Sequence, residues 1–174
     1  DTNSGTVAIG ANAGYNLAVA ATSSANVLVG YNAGNALTTG DGNTVIGTNA
    51  LVTSADSNNT VAIGYQALNA APADTIKNVV IGSLAGSSIN DAAADNNVII
   101  GYLAGKGGGA HISDSTVIGS LAMDGTGAVD AEDCIAIGSA AMGGTWTGSA
   151  VKNNIAIGKS TMSKILNGTL KCTV

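Results

Sequence analysis

Three apolar residues followed by a glycine recur along this chain at Val7-Ala8-Ile9-Gly10, Val27-Leu28-Val29-Gly30, Val61-Ala62-Ile63-Gly64, Val79-Val80-Ile81-Gly82, Val98-Ile99-Ile100-Gly101, Ile135-Ala136-Ile137-Gly138 and Ile155-Ala156-Ile157-Gly158. Thr44-Val45-Ile46-Gly47 and Thr116-Val117-Ile118-Gly119 vary it only in the first residue. From one glycine to the next the spacing is 20, 17, 17, 18, 19, 18, 19 and 20 residues. Such periodic self-similarity is the signature of a solenoid, in which each copy is one coil that buries its apolar surface only when stacked on its neighbours. The pattern predicts an all-β chain, a parallel β-roll or β-solenoid of about nine coils.

Within each copy the residues three before and one before the glycine share one face of a short strand, and the residue between them faces the other way. That middle residue is apolar in every copy: Ala8, Leu28, Val45, Ala62, Val80, Ile99, Val117, Ala136 and Ala156. Apolar residues on both faces imply burial of both. A thin solenoid covers only one of them, so a partner layer is expected, most economically further copies of the same chain.

The anchor glycine marks a corner, where the backbone turns with positive φ or a side chain would clash. Three residues on comes a small residue, Ala13, Ala33, Ala50, Ala67, Ala85, Ala104, Ala122, Ala141 or Thr161, at a position expected to be tight. The next residue is either glycine or a large aliphatic, and after Gly14, Gly34 and Gly86 an apolar residue (Leu17, Leu37, Ile89) follows three places later. Four residues before the anchor stands a small polar residue, usually Asn, Thr or Ser, with Cys134 the exception. Stacking predicts a ladder of side-chain hydrogen bonds there. Two residues after the anchor, Asn12, Asn32, Asn49 and Gln66 give way to Leu84, Leu103 and Leu121, so the buried surface is expected to widen.

Composition narrows the function. Aromatic residues are 3% of the 174, with no Phe, while 45% are hydrophobic, so the interior is thin and built of small side chains. The net charge is -5 and no Arg occurs, which argues against a nucleic-acid surface. No apolar run approaches the length of a membrane-spanning helix, and no membrane insertion is expected. The opening Asp1-Thr2-Asn3, without a signal-peptide pattern, reads as a processed chain or a fragment. Residues 1–162 form the repeats, and 163–174 read as a capping or exit segment leading into another region.

Candidate chemistry is sparse. Gly158-Lys159-Ser160 has the ending of a phosphate-binding loop, but Asn153 stands where its first glycine is needed. His111 is the only histidine and has no companion at ligand spacing. Asp130, Glu132 and Asp133 lack the framework of a calcium-binding loop. Cys134 and Cys172 lie two coils apart and are read as thiols. No catalytic residue, cofactor or metal is therefore expected, and the chain is read as non-enzymatic. Trp146, between Gly143-Gly144-Thr145 and Thr147-Gly148, is expected to be an exposed contact point.

The stretch Asn59-Thr60-Val61-Ala62-Ile63-Gly64-Tyr65-Gln66-Ala67-Leu68 is similar to the repeats of bacteriophage tail and head fibre proteins. Its Val-Ala-Ile-Gly unit, preceded by Asn, Ser or Thr, also resembles the head β-roll of YadA-like trimeric autotransporter adhesins. The resemblance covers nearly the whole chain and implies a left-handed roll assembled as a homotrimer, with the large apolar residues inside each roll and the nine middle residues at the threefold axis. On that reading Ile63→Asp unfolds the middle coils and Ala62→Asp disrupts assembly. The implied function is a stiff fibre or appendage segment on a virion surface, with neighbouring fibre or particle proteins and a host-surface receptor or glycan as partners. An adhesin head on a bacterial surface is one alternative. A monomeric solenoid that binds ice or glycan is another.

Overall fold

A computed structural model of the chain describes residues 5–17, 24–72, 76–107, 111–127, 129–148 and 150–163. These form an all-β parallel solenoid of about seven turns, with no helix among the described residues. The Val/Ile-rich motifs are three-residue strands: β1 Val7–Ile9, β2 Val27–Val29, β3 Thr44–Ile46, β4 Val61–Ile63, β5 Val79–Ile81 and β6 Val98–Ile100. The later ones are β8 Thr116–Ile118, β10 Ile135–Ile137 and β12 Ile155–Ile157. All nine pair in parallel, in chain order, within a single sheet. Two-residue strands β7 Ile112–Ser113, β9 Ala131–Glu132 and β11 Val151–Lys152 form a second sheet beside the later turns.

Register is uniform. Ala62 lies between Val45 and Val80, and Ile63 between Ile46 and Ile81, so each motif position becomes a column along the solenoid. The anchor glycines stack most closely. A Cβ on Gly64 would sit 2.5 Å from the carbonyl oxygen of Gly82, and one on Gly82 would sit 2.4 Å from that of Gly101. Both glycines also have φ near +137°, at 136° and 138°, where side chains are strained. Close approach and backbone angle therefore select glycine together.

The direction of the strands' side chains reverses the expectation from resemblance. Leu28, Val45, Ala62, Val80, Ile99, Val117, Ala136 and Ala156 are buried in the interior of the single chain, and only Ala8, in the first strand, is exposed. They are therefore not positioned as interface residues. The flanking residues, such as Val61 and Ile63, form the outer face. The reason is the narrow lumen: each strand sends one side chain inward, and the residue four after the anchor meets it from the opposite wall.

These two positions compensate in size. Leu28 and Ile99 face Gly34 and Gly105, whereas Ala62 and Ala136 accompany Leu68 and Met142. A Cβ on Gly34 would come within 2.9 Å of both Leu28 and Leu37, and one on Gly105 within 3.1 Å of Ile99. Where the wall residue is glycine, a larger inward side chain or the apolar residue three places later fills the space. The alanine three after the anchor is fully buried from Ala33 to Ala141, as its small size anticipates.

The polar ladder forms inside the solenoid. Asn43 donates from its backbone N–H (2.9 Å) and its side-chain Nδ2 (3.0 Å) to Asn26 Oδ1, and Thr60 N–H donates to Asn43 Oδ1 (3.0 Å). Asn97 repeats both bonds to Asn78, Ser115 N–H donates to Asn97 Oδ1, and Cys134 N–H donates to Ser115 Oγ. Each side chain satisfies backbone groups that the short strands leave over, which is what permits polar residues to be buried here. The three leucines two residues after the anchor behave otherwise: Leu84, Leu103 and Leu121 are only half-buried and lie outside the core, so the interior does not widen.

Candidate interaction surface

The outer face of the long sheet is left uncovered by the described residues. Two columns run along it, one from Val7 through Val61 to Ile155 and the other from Ile9 through Ile63 to Ile157. Of their eighteen positions sixteen are Val or Ile and two are Thr, and none is charged. Val7, Ile9, Ile46 and Ile157 are exposed, and the other aliphatic members are half-buried between their own neighbours. At about 4.8 Å per strand the columns extend for roughly 40 Å. An uncharged apolar strip of that continuity is the kind of surface feature that marks interaction sites.

One residue past the anchor a third column carries Tyr31, Tyr65 and Tyr102, all exposed, with Tyr15 exposed elsewhere in the first repeat. Beside it, Asn12 Nδ2 donates to Asn32 Oδ1 and Asn32 Nδ2 to Asn49 Oδ1, both at 3.1 Å. Trp146, by contrast, is 4% exposed and belongs to the core. Its backbone N–H donates to the Gly125 carbonyl (3.1 Å), which draws the glycine-flanked loop against the preceding turn. The indole's large apolar area favours that burial, so Trp146 is not a surface contact.

The charged candidates pair off. Lys152 Nζ donates to Glu132 Oε2, and this bond holds the Glu132 carboxyl below its usual range and the Lys152 ammonium above its own. His111 Nδ1 lies 3.6 Å from Asp130 Oδ1, and its Nε2 lies 3.2 Å from Ser113 Oγ. Among the described residues no three His, Cys, Asp or Glu side chains gather as metal donors, and no concave pocket opens. Gly158-Lys159-Ser160 lies in the turn after β12, without the helix start on which a phosphate would rest.

Cys134 is buried as a free thiol, and Cys172 lies outside the described residues. The thiol donates toward the carbonyls of Glu132 (3.3 Å) and Val151 (3.5 Å), and burial pushes its pKa up. That upward shift depletes the thiolate. In native protein at pH 8, iodoacetamide is expected to label Cys134 at least about tenfold more slowly than after denaturation, read peptide by peptide so that Cys172 is scored separately. Equal rates would place Cys134 at the surface.

The fold and this face define a parallel β-solenoid with one uncovered apolar side. Comparison with family models, with curated proteins and with solved structures returns no match for this chain.

Proposed function

We propose that this chain is a structural segment of a homotrimeric fibre, nine coils long, in which the outer Val/Ile columns of three copies close against one another. The observation that carries the reading is the uncharged, unbroken outer face of the long sheet. Three such faces, meeting along an axis, would remove from water the apolar side chains that one copy leaves half-covered. A buried Val or Ile contributes roughly 1.5 to 3 kcal/mol, so even partial burial along the columns is a substantial driving force. The partner layer expected from the sequence is retained in this reading, with the flanking residues at the seam instead of the nine middle ones.

The similarity of Thr60 through Leu68 to phage fibre repeats supports a place on a phage or virus-like particle, at the virion surface, with neighbouring particle proteins and a host-surface glycan or receptor as partners. The solenoid supplies stiffness and attachment, and the reading assigns it no catalysis.

Light scattering tests the assembly: the native mass is expected to be three times the 16.7 kDa of one chain. Ile63→Asp would place three carboxylates in the apolar seam, where they lack partners. That variant is expected to sediment as a folded monomer, with its far-ultraviolet circular dichroism retained. A wild-type monomer would overturn the fibre reading and favour a binding solenoid whose flat face meets a ligand.

A further inference from the structure

Three of the four exposed tyrosines, Tyr31, Tyr65 and Tyr102, are spaced by a rule. One residue after the anchor, the first six repeats carry Ala11, Tyr31, Thr48, Tyr65, Ser83 and Tyr102, so a ring stands on every second one of them with a small residue between, and the last three carry Ser120, Ser139 and Lys159. At about 4.8 Å per strand, neighbouring rings are roughly 10 Å apart along the solenoid. All three rings are about half exposed, at 52%, 51% and 53%.

The backbone beneath them is held in place. The carbonyl of Tyr31 accepts from Asn49 N–H (2.9 Å), that of Tyr65 from Leu84 N–H (2.8 Å), and that of Tyr102 from Leu121 N–H (2.9 Å). The backbone that carries the rings is thus held by the ladder and needs little ordering on binding. Beside the first two stand Asn32, Asn49 and Gln66, whose amides can each donate and accept more than one hydrogen bond. No charged residue occurs at either position of this strip from the first repeat through the sixth.

We propose that Tyr31, Tyr65 and Tyr102 form a stacking track for an extended, uncharged β-1,4-linked polysaccharide lying along the solenoid axis. The two-repeat interval is close to the length of one disaccharide unit of such a chain. Successive pyranose rings that present the same C–H face would therefore meet successive tyrosines. A tyrosine ring offers a negative face to those C–H groups and a broad contact area with few torsions to immobilise. The neutral strip and the acidic chain as a whole disfavour an anionic polymer. This gives the glycan partner of the fibre a site and a chemical class, and it rests on that reading for the Val/Ile face being covered while the tyrosine track stays open.

Isothermal titration of the intact chain with cellohexaose, chitohexaose and cellobiose tests the track. Either hexasaccharide is expected to bind at least about tenfold more tightly than cellobiose, because it reaches several rings at once. Tyr65→Ser, which removes the central ring, is expected to weaken hexasaccharide binding by about tenfold while leaving the native mass unchanged. Absence of binding by both hexasaccharides at millimolar concentration would overturn the proposal, as would unchanged affinity in Tyr65→Ser. If combined Tyr31→Ser, Tyr65→Ser and Tyr102→Ser substitution dissolves the assembly, the rings belong to the seam and the track is refuted. A wild-type monomer that binds with the same dependence on Tyr65 would support the track while overturning the trimer.

Discussion

Ala62→Asp is expected to unfold the middle of the solenoid. Ala62 is fully buried and lies in register between Val45 and Val80, in a lumen also filled by Leu51 and Leu68. A carboxylate there exceeds the available volume, and the backbone donors of β4 are already engaged between turns; Val61 N–H, for example, donates to the Asn78 carbonyl at 2.8 Å. Overpacking and an unpaired buried charge together cost about 4 kcal/mol or more. Since each turn is stabilised by the next, the loss spreads to neighbouring turns. Thermal melting followed by circular dichroism should show a large fall in midpoint or no cooperative transition, whereas Ile63→Asp, one residue away, melts cooperatively. The reverse ranking would return the middle residues to the outer face.

Gly82→Ala is the second large effect. The added methyl would stand 2.4 Å from the Gly101 oxygen and 2.7 Å from its carbonyl carbon, both backbone atoms that no rotamer change can move aside. The turns cannot separate to accommodate it without stretching the hydrogen bonds from Gly82 N–H to the Ile63 carbonyl and from Gly101 N–H to the Ile81 carbonyl, each 2.8 Å. With the positive φ added, a cost of at least about 3 kcal/mol is expected. Gly127→Asn is the matched control. Gly127 has φ +60°, which asparagine tolerates, and its nearest neighbour to an added Cβ is the Trp146 oxygen at 3.5 Å. Its effect should stay below about 1 kcal/mol. Equal melting losses in the two variants would mean that neither the approach between turns nor the backbone angle selects the anchor glycine.

Several features of the site were legible before the fold was known. The spacing of the anchor glycines identified the repeat, and the buried column from Asn26 to Asn154 was recognisable because small polar residues recur beside an apolar strand only where they can bond to one another or to backbone. The orientation of the strand was misassigned, although a signal for it exists in the chain. The flanking positions are uniformly branched, whereas the middle position varies in size: Leu28 and Ile99 stand where the residue four after the anchor is glycine, and Ala62, Ala136 and Ala156 where it is Leu68, Met142 and Met162. Size compensation of that kind belongs to side chains sharing one enclosed volume. An outer face shared with identical copies has no such constraint within a repeat. Trp146 was misread for a related reason: flanking glycines describe the freedom of a loop but not where the loop comes to rest.

By itself, then, the amino-acid sequence determined that the chain is all-β and repetitive, where each strand ends, and which positions must be small, because these follow from local periodicity and from the steric demands of glycine corners. Which side of each strand is inside, that Trp146 is core, and that the three tyrosines on alternate repeats stand exposed were decided only by the tertiary structure. They depend on contacts between residues 17 to 20 positions apart, and those contacts exist only once one turn has stacked on the next.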